Sequence, residues 1–327
     1  MTVARCLVSL TFALLLAACG KAENAAVASA PGDATASQPV AATRQVTDAA
    51  GQELAVPIHP ERVIVLSEND LDIALALGIT PVGTTNGRGQ SAPPSYLGEL
   101  TAGIEGIGGF GQPSMDRVVA LRPDLILAGG NGDPQVLAQL GRIAPTMVTV
   151  KRGEPWQDSM RRVADALGRR AQADAFLEDY QQRVEALRAR LGERATTTVS
   201  IVRWTPQGPV YMLGDAFAGR VAQDLGMTRP LAQRQPGVGH AAPLSREALG
   251  DIDADWLFIG AFVNGKGEQA ELARLMKEPE FRELKAARAG QVREVDAALW
   301  TSVGGPLAAR QVLREIETAM LDAPGAQ

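Results

Sequence analysis

Histidine and cysteine are nearly missing, with two of each in 327 residues. His59 and His240 alone cannot build an imidazole metal cage. Both cysteines, Cys6 and Cys19, fall in the first nineteen positions. The remaining chain therefore has no thiol nucleophile, thiolate cluster or disulfide. Aromatic residues make up only 4%, so each Trp in a loop carries more weight than usual. Excess positive charge is also lacking: the formal net charge is −5, whereas a nucleic-acid footprint is strongly basic. No apolar run approaches the roughly 20 residues of a membrane-spanning helix. Nucleophilic catalysis has no home either. There is no G-x-S-x-G elbow, and a Ser-His-Asp set would have to use His59, in the rigid Pro57-Ile58-His59-Pro60, or His240, in the loop Pro236–His240. Acidic pairs occur only where a solvated helix face explains them.

The N-terminus carries Arg5, then an apolar run from Leu7 to Leu16 broken only by Ser9 and Thr11, then Leu16-Ala17-Ala18-Cys19. This is a short signal-peptide core. Its end resembles a bacterial lipobox, which implies removal of residues 1–18 and a lipid on Cys19. The alternative is an ordinary signal peptide with a chance cysteine. Residues 20–44 are rich in Ala, Ser, Thr, Pro and Gln, with almost nothing bulky to bury. Such a stretch reads as a flexible tether.

The folded body is expected to begin near Gln45. Arg62–Leu66 is a short buried-type strand, and Ser67 caps a helix that ends before Gly78. Pro81–Thr84 is a weaker strand, Met115–Leu121 a helix and Asp124–Ala128 another strand. Strands alternating with helices predict parallel α/β units. Phe176, Tyr180, Val184, Leu187 and Leu191 form one apolar stripe over a long charged segment without proline. It predicts a helix of roughly 35 Å at about 1.5 Å per residue. Thr198–Val202 then opens a second set of strands. Ser114, Asp116, Val118, Leu121, Asp124 and Gly129 reappear as Ser245, Glu247, Leu249, Ile252, Asp255 and Gly260, at a constant offset of 131. A duplicated α/β lobe explains this, although any capped helix followed by a strand obeys similar local rules. The expected organisation is a tether over 19–44, an N-terminal lobe over 45–170, a connecting helix over 171–195 and a C-terminal lobe over 196–327.

Gly106-Ile107-Gly108-Gly109-Phe110-Gly111 satisfies G-x-G-x-x-G literally, but no strand leads into it and Pro113 delays the following helix. It reads as a glycine-rich loop near a cleft. Basic and aromatic residues gather instead at strand ends, where open α/β sheets bind ligands. Arg88 lies after the second strand, Arg203 and Trp204 end the strand of the second lobe, and Arg220 opens a helix. Arg234 and His240 lie in long loops, and Trp300 precedes Gly304-Gly305-Pro306. Guanidinium groups suit anionic ligands, and indole rings cover apolar or aromatic faces.

Several segments together resemble the substrate-binding proteins of iron-siderophore and cobalamin ABC importers. They are Pro60–Leu66, Ala76–Gly83, Ser114-Met115-Asp116, Leu121–Ile126, Asp224–Met227, Asp253-Ala254-Asp255 and Trp300 with Gly304–Ala309. The resemblance spans roughly Val46 to Met320. It implies an α/β fold of two Rossmann-like lobes with mostly parallel central sheets, joined by one long rigid helix, with the ligand between the lobes. It further implies one exposed acidic residue per lobe that docks on the permease. Asp116 and Glu247 hold those positions, Asp116 departing from the glutamate usual in the family. The tail at Trp300 looks more like ferric siderophore or ferric citrate binders than cobalamin binders; haem binders tend to offer Tyr or His. The expected ligand-binding set is Arg88, Arg203, Trp204, Arg220, Trp300 and His240. The expected protein is a lipid-anchored monomer on the periplasmic or outer face of a bacterial membrane, with no catalysis and no cofactor of its own. Its partners would be a ferric chelate and the transmembrane subunits of an ABC permease, with a cobalamin or haem ligand as the alternative.

Overall fold

The computed structural model describes residues 42–262 and 267–321. Cys19, the signal segment and the tether up to residue 41 lie outside them. The tether expected to reach residue 44 gives way earlier. Thr43 and Arg44 already belong to β1 (Thr43–Thr47), which pairs antiparallel with β2 (Glu53–Pro57). Val46 and Val56 are buried on one face of this hairpin, and the Arg44 guanidinium donates to the Ile58 carbonyl.

The first lobe continues through β3 (Val63–Val65), α1 (Glu68–Ala76), β4 (Gly83–Thr84), β5 (Glu105–Gly106) and a small hairpin of β6 (Gly108–Gly109) and β7 (Gln112–Pro113). Then come α2 (Met115–Ala120), β8 (Leu125–Leu127), α3 (Pro134–Leu140), β9 (Thr146–Met147) and α4 (Trp156–Leu167). Its sheet is parallel throughout, in the order β5-β4-β3-β8-β9. Every residue of β3 and β8 is buried, as expected of parallel strands covered on both faces. Ser67 caps α1 by accepting the Asp70 N–H at 3.1 Å.

The connecting helix α5 runs from Arg170 to Leu191, and the five stripe residues from Phe176 to Leu191 are all buried. Each is worth about 1.5–3 kcal/mol of apolar burial. The helix is shorter than the expected 171–195, because Gly192 takes φ +57° and the chain tightens into a 3-10 turn over Gly192–Thr196.

The second lobe holds β10 (Val199–Thr205), β11 (Gly208–Tyr211), α6 (Phe217–Asp224), β12 (Trp256–Gly260), α7 (Glu268–Leu275), α8 (Pro279–Arg282) and α9 (Lys285–Arg288). It ends with β13 (Val292–Glu294), α10 (Ala297–Thr301) and α11 (Pro306–Leu321). Its sheet order is β11-β10-β12-β13, with only β11 antiparallel. Two α/β lobes joined by a long helix are thus present. In addition α11, from the end of the second lobe, packs on α1 and α4 of the first.

The repeat acquires a physical meaning. The Asp124 carboxylate accepts the N–H groups of Glu61 and Arg62 at 2.7 and 3.0 Å, just before β3. Its counterpart Asp255 accepts the N–H of Thr198 at 2.7 Å, just before β10. In both lobes the repeated aspartate fastens the start of the neighbouring parallel strand. The helices differ: the copy opened by Ser114 is α-helical, whereas that opened by Ser245 is a 3-10 helix over Arg246–Ile252.

Candidate functional site

In the first sheet the strand order reverses between β3 and β8, and in the second between β10 and β12. Chain leaving the carboxyl ends of strands at such a point opens a crevice. A cavity of about 540 Å³ opens beyond the first of these points, between β3 and β8. Leu66, Ser67, Glu68 and Asn69 beyond β3, and Ala128, Gly130 and Asn131 beyond β8, form part of its wall. The close approach of these two loops requires a glycine. Gly129 has φ +60°, and a Cβ there would stand 2.6 Å from that of Ser67. The loop after β9 adds Lys151 and Arg152, while the second lobe contributes Asp215, Phe217 and Arg220. The glycine-rich loop supplies Phe110 and Gly111, and Ser302, Val303 and Gly304 precede α11.

Arg88 reaches this cavity with its guanidinium 4.3 Å from the centre of the Phe110 ring. Its backbone N–H donates to Glu68 Oε1 at 2.7 Å. Among the described residues, Arg88, Lys151 and Arg152 have no carboxylate at ion-pair distance. Arg220 is different: its guanidinium donates to Asp215 Oδ1 at 3.0 Å and, across the cleft, to the Gly153 carbonyl at 2.8 Å. The loop that carries Lys151 and Arg152 is stiffened by Arg162. That side chain grips both Glu154 oxygens at 2.7 and 2.8 Å and donates to the Thr149 carbonyl at 2.6 Å.

The six expected ligand contacts therefore separate. Arg88 and Arg220 line the cleft. Arg203 does not line it but lies close behind, with its guanidinium 5.4 Å from the Phe262 ring. Burial, and secondarily the charge of Arg88, push its pKa down. Trp204 borders a separate cavity of about 210 Å³ with Arg246 and Glu278. His240 is exposed, its Nδ1 2.8 Å from the Ala241 carbonyl, and does not line the cleft. Trp300 is only 1% exposed: it stacks on Phe258 at 4.5 Å, and its indole N–H donates to Glu315 Oε2 at 2.6 Å. It sits within α10 rather than in the loop before Gly304, so its ring is turned into the core. Asp116 and Glu247 are both exposed, each in the first turn of its helix. Hydrogen bonds from its own backbone N–H and from the Ser245 hydroxyl hold the Glu247 carboxyl below its ordinary pKa.

The glycine-rich loop expected near a cleft does supply Phe110, whereas Glu68, Asn69, Lys151, Arg152 and Trp156 were not foreseen. The first two also follow a strand end, but Ser67 made that stretch read as an ordinary helix start. Lys151 and Arg152 follow β9, a two-residue strand too short to leave a pattern.

Helix α1 buries three carboxyls. Burial pushes Glu68 up to about 7, and Asp70 and Asp72 up to about 6. Asp70 accepts from the Thr149 hydroxyl, and Asp72 from the N–H groups of Leu307 and Ala308 and from the Tyr96 hydroxyl. The raised values mean that the folded chain retains protons which the unfolded chain has released. Between about pH 4 and 7, stability must therefore fall as pH rises. Thermal unfolding followed by circular dichroism should give a midpoint several degrees higher at pH 5.5 than at pH 8. A flat or opposite trend would show that these carboxyls are ionised without penalty.

Among the described residues, no cluster of three or more His, Cys, Asp or Glu is placed to hold a metal ion. No helix there is long and apolar enough to cross a membrane. The model of the family described as "Periplasmic binding protein" matches residues 63–299. The probable siderophore-binding lipoprotein YfiY of Bacillus subtilis is 29% identical over 315 residues, 94% of each chain. The achromobactin-binding periplasmic protein of Dickeya dadantii is 32% identical over 262 residues, 79% of this chain and 85% of that one. Among solved structures, Staphylococcus aureus SirA complexed with staphyloferrin B superposes with a TM-score of 0.74 at 23% identity, covering 85% of this chain and 98% of that one.

Proposed function

Because the chain belongs to the periplasmic binding protein family, we propose that it is the substrate-binding lipoprotein of an ABC importer, collecting a ferric siderophore or ferric citrate outside the cell membrane. The observation that carries this reading is the cleft itself. It lies at the strand-order reversal of the first lobe, faces the second lobe through Asp215, Phe217 and Arg220, and presents Arg88, Lys151 and Arg152 with no carboxylate partner among the described residues. Unmatched cations in a half-enclosed cleft attract an anion, and guanidinium groups match carboxylate and catecholate oxygens. The relatives named above as siderophore-binding and achromobactin-binding support the same choice.

The iron is cargo and stays with its chelator, so the chain performs no catalysis and needs no cofactor. The haem alternative is disfavoured, since no Tyr or His lines the cleft among the described residues. Tyr96 and Tyr180 are committed to Asp72 and Asp224. Asp116 and Glu247 are the docking points for the permease, one on each lobe, and Cys19 carries the lipid.

Trp156 lies in the cleft wall and serves as a built-in reporter. Its fluorescence should be quenched by one member of a panel of ferric hydroxamates, catecholates and citrate; silence across that panel overturns the iron reading. Replacing Asp116 and Glu247 together by Ala should cut iron uptake by cells at least tenfold and leave the Kd within twofold. A matching loss of affinity would move both residues into the cleft.

A further inference from the structure

Cations on the exposed side of the cleft do not account for its innermost wall. Glu68 is 6% exposed there and meets no cationic side chain at ion-pair distance among the described residues. The charged and titratable groups that face it are the Arg88 guanidinium, Asp296 and Tyr96. Beside it, Asn69 Oδ1, Trp156 Nε1 and Ser302 Oγ are buried without a hydrogen-bond partner among the described residues. All four residues belong to the same cavity. Buried polar groups are almost always paired, and leaving several unpaired in one wall is costly. Asn69 Oδ1 and the Glu68 carboxyl, which accepts only the Arg88 backbone N–H, are acceptors on consecutive residues of the same wall, which calls for a group with several hydrogens to donate. The Trp156 indole can only donate, which calls for an acceptor.

Building on the reading of this cleft as a ferric-chelate site, we propose that Glu68 and Asn69 form a specificity-determining subsite for a protonated amine carried on an arm of the chelate. Trp156 would take an amide carbonyl of the same arm, while the outer cations hold the negative charge around the iron. The chelate selected is therefore amphoteric rather than purely anionic.

The test uses three ferric complexes: citrate, citrate amidated once with 1,2-diaminoethane, and the same amide with its free amine acetylated. Fluorescence titration of the whole chain at pH 8 should favour the free amine over its acetylated twin by about tenfold or more. Glu68 titrates at about 7 before the ligand arrives, and an ammonium requires its ionised form. Affinity for the free amine should therefore rise about tenfold from pH 6 to pH 8, and affinity for the acetylated twin should not. In Glu68→Gln the preference between the twins should collapse towards unity. Equal affinity for the twins, a preference that survives Glu68→Gln, or binding of ferric citrate with neither amide overturns the subsite alone. Failure of all three complexes and of every other ferric chelate overturns the iron reading, and the subsite with it. Should Glu68→Gln not fold, the twins and the pH series on the unmodified chain still decide the question.

Discussion

Replacing Arg88 and Arg152 together by Ala is expected to weaken binding of the ferric chelate that quenches the wild-type fluorescence by at least a hundredfold. Neither side chain forms an ion pair among the described residues, so the substitutions remove ligand contacts without breaking one. A hydrogen bond to a charged group contributes about 1.5–3 kcal/mol, so two contribute about 3–6 kcal/mol. With about 1.4 kcal/mol per decade of affinity, that spans two to four decades. The Arg88 guanidinium also rests on Phe110, which fixes the direction of its fork. Arg88→Lys should therefore recover only part of the loss, since an ammonium keeps the charge but not the planar pair of donors. Wild-type affinity should also fall with added salt, the double variant showing a shallower slope. Isothermal titration measures all three, and a loss of less than fivefold in the double variant would mean that the ligand sits elsewhere.

The second large effect concerns stability. Asp72→Ala should destabilise the chain by about 3–5 kcal/mol, since three buried donors lose their acceptor and each one left unsatisfied costs about 1–3 kcal/mol. Asp72 is fully buried and accepts from Leu307 N at 2.7 Å, Ala308 N at 2.9 Å and Tyr96 Oη at 2.9 Å. Alanine leaves these donors inside the protein without an acceptor. Two of them are the first turn of α11, so the same change loosens the contact between that helix and α1. Close packing there is severe, since a Cβ on Gly305 would lie 2.8 Å from the Asp72 carboxyl carbon. Asp72→Asn keeps one acceptor oxygen and should cost roughly half as much. Urea unfolding at pH 7 separates the cases, and a change under about 1 kcal/mol for alanine would show that water replaces the carboxylate freely.

This bolt also marks the limit of what could be read from the chain alone. The segment Glu68-Asn69-Asp70-Leu71-Asp72 looks like a solvated helix start, yet every one of its residues is buried. Its cover, α11, lies about 235 positions away, and no local pattern announces that pairing. The elements that were legible carry their signal within a few residues. Val63–Val65 and Leu125–Leu127 are unbroken apolar runs, and the stripe from Phe176 to Leu191 repeats at helical spacing. The cleft was half legible for the same reason. Strand ends locate Arg88 and bring Arg203 near it. They say nothing about which way a ring such as that of Trp300 turns once Phe258 and Glu315 surround it. Trp204 shows the other failure, for a residue at a strand end can face a different cavity from the one its neighbour approaches.

The paired clamps of Asp124 and Asp255 also bear on how the chain assembles. One closes a loop of 63 residues and the other a loop of 57. The entropy of closing a flexible loop grows only with the logarithm of its length, so the two closures differ by about 0.1 kcal/mol. Neither lobe has a head start from chain topology, and the order in which they form rests on how fast each packs its own strands.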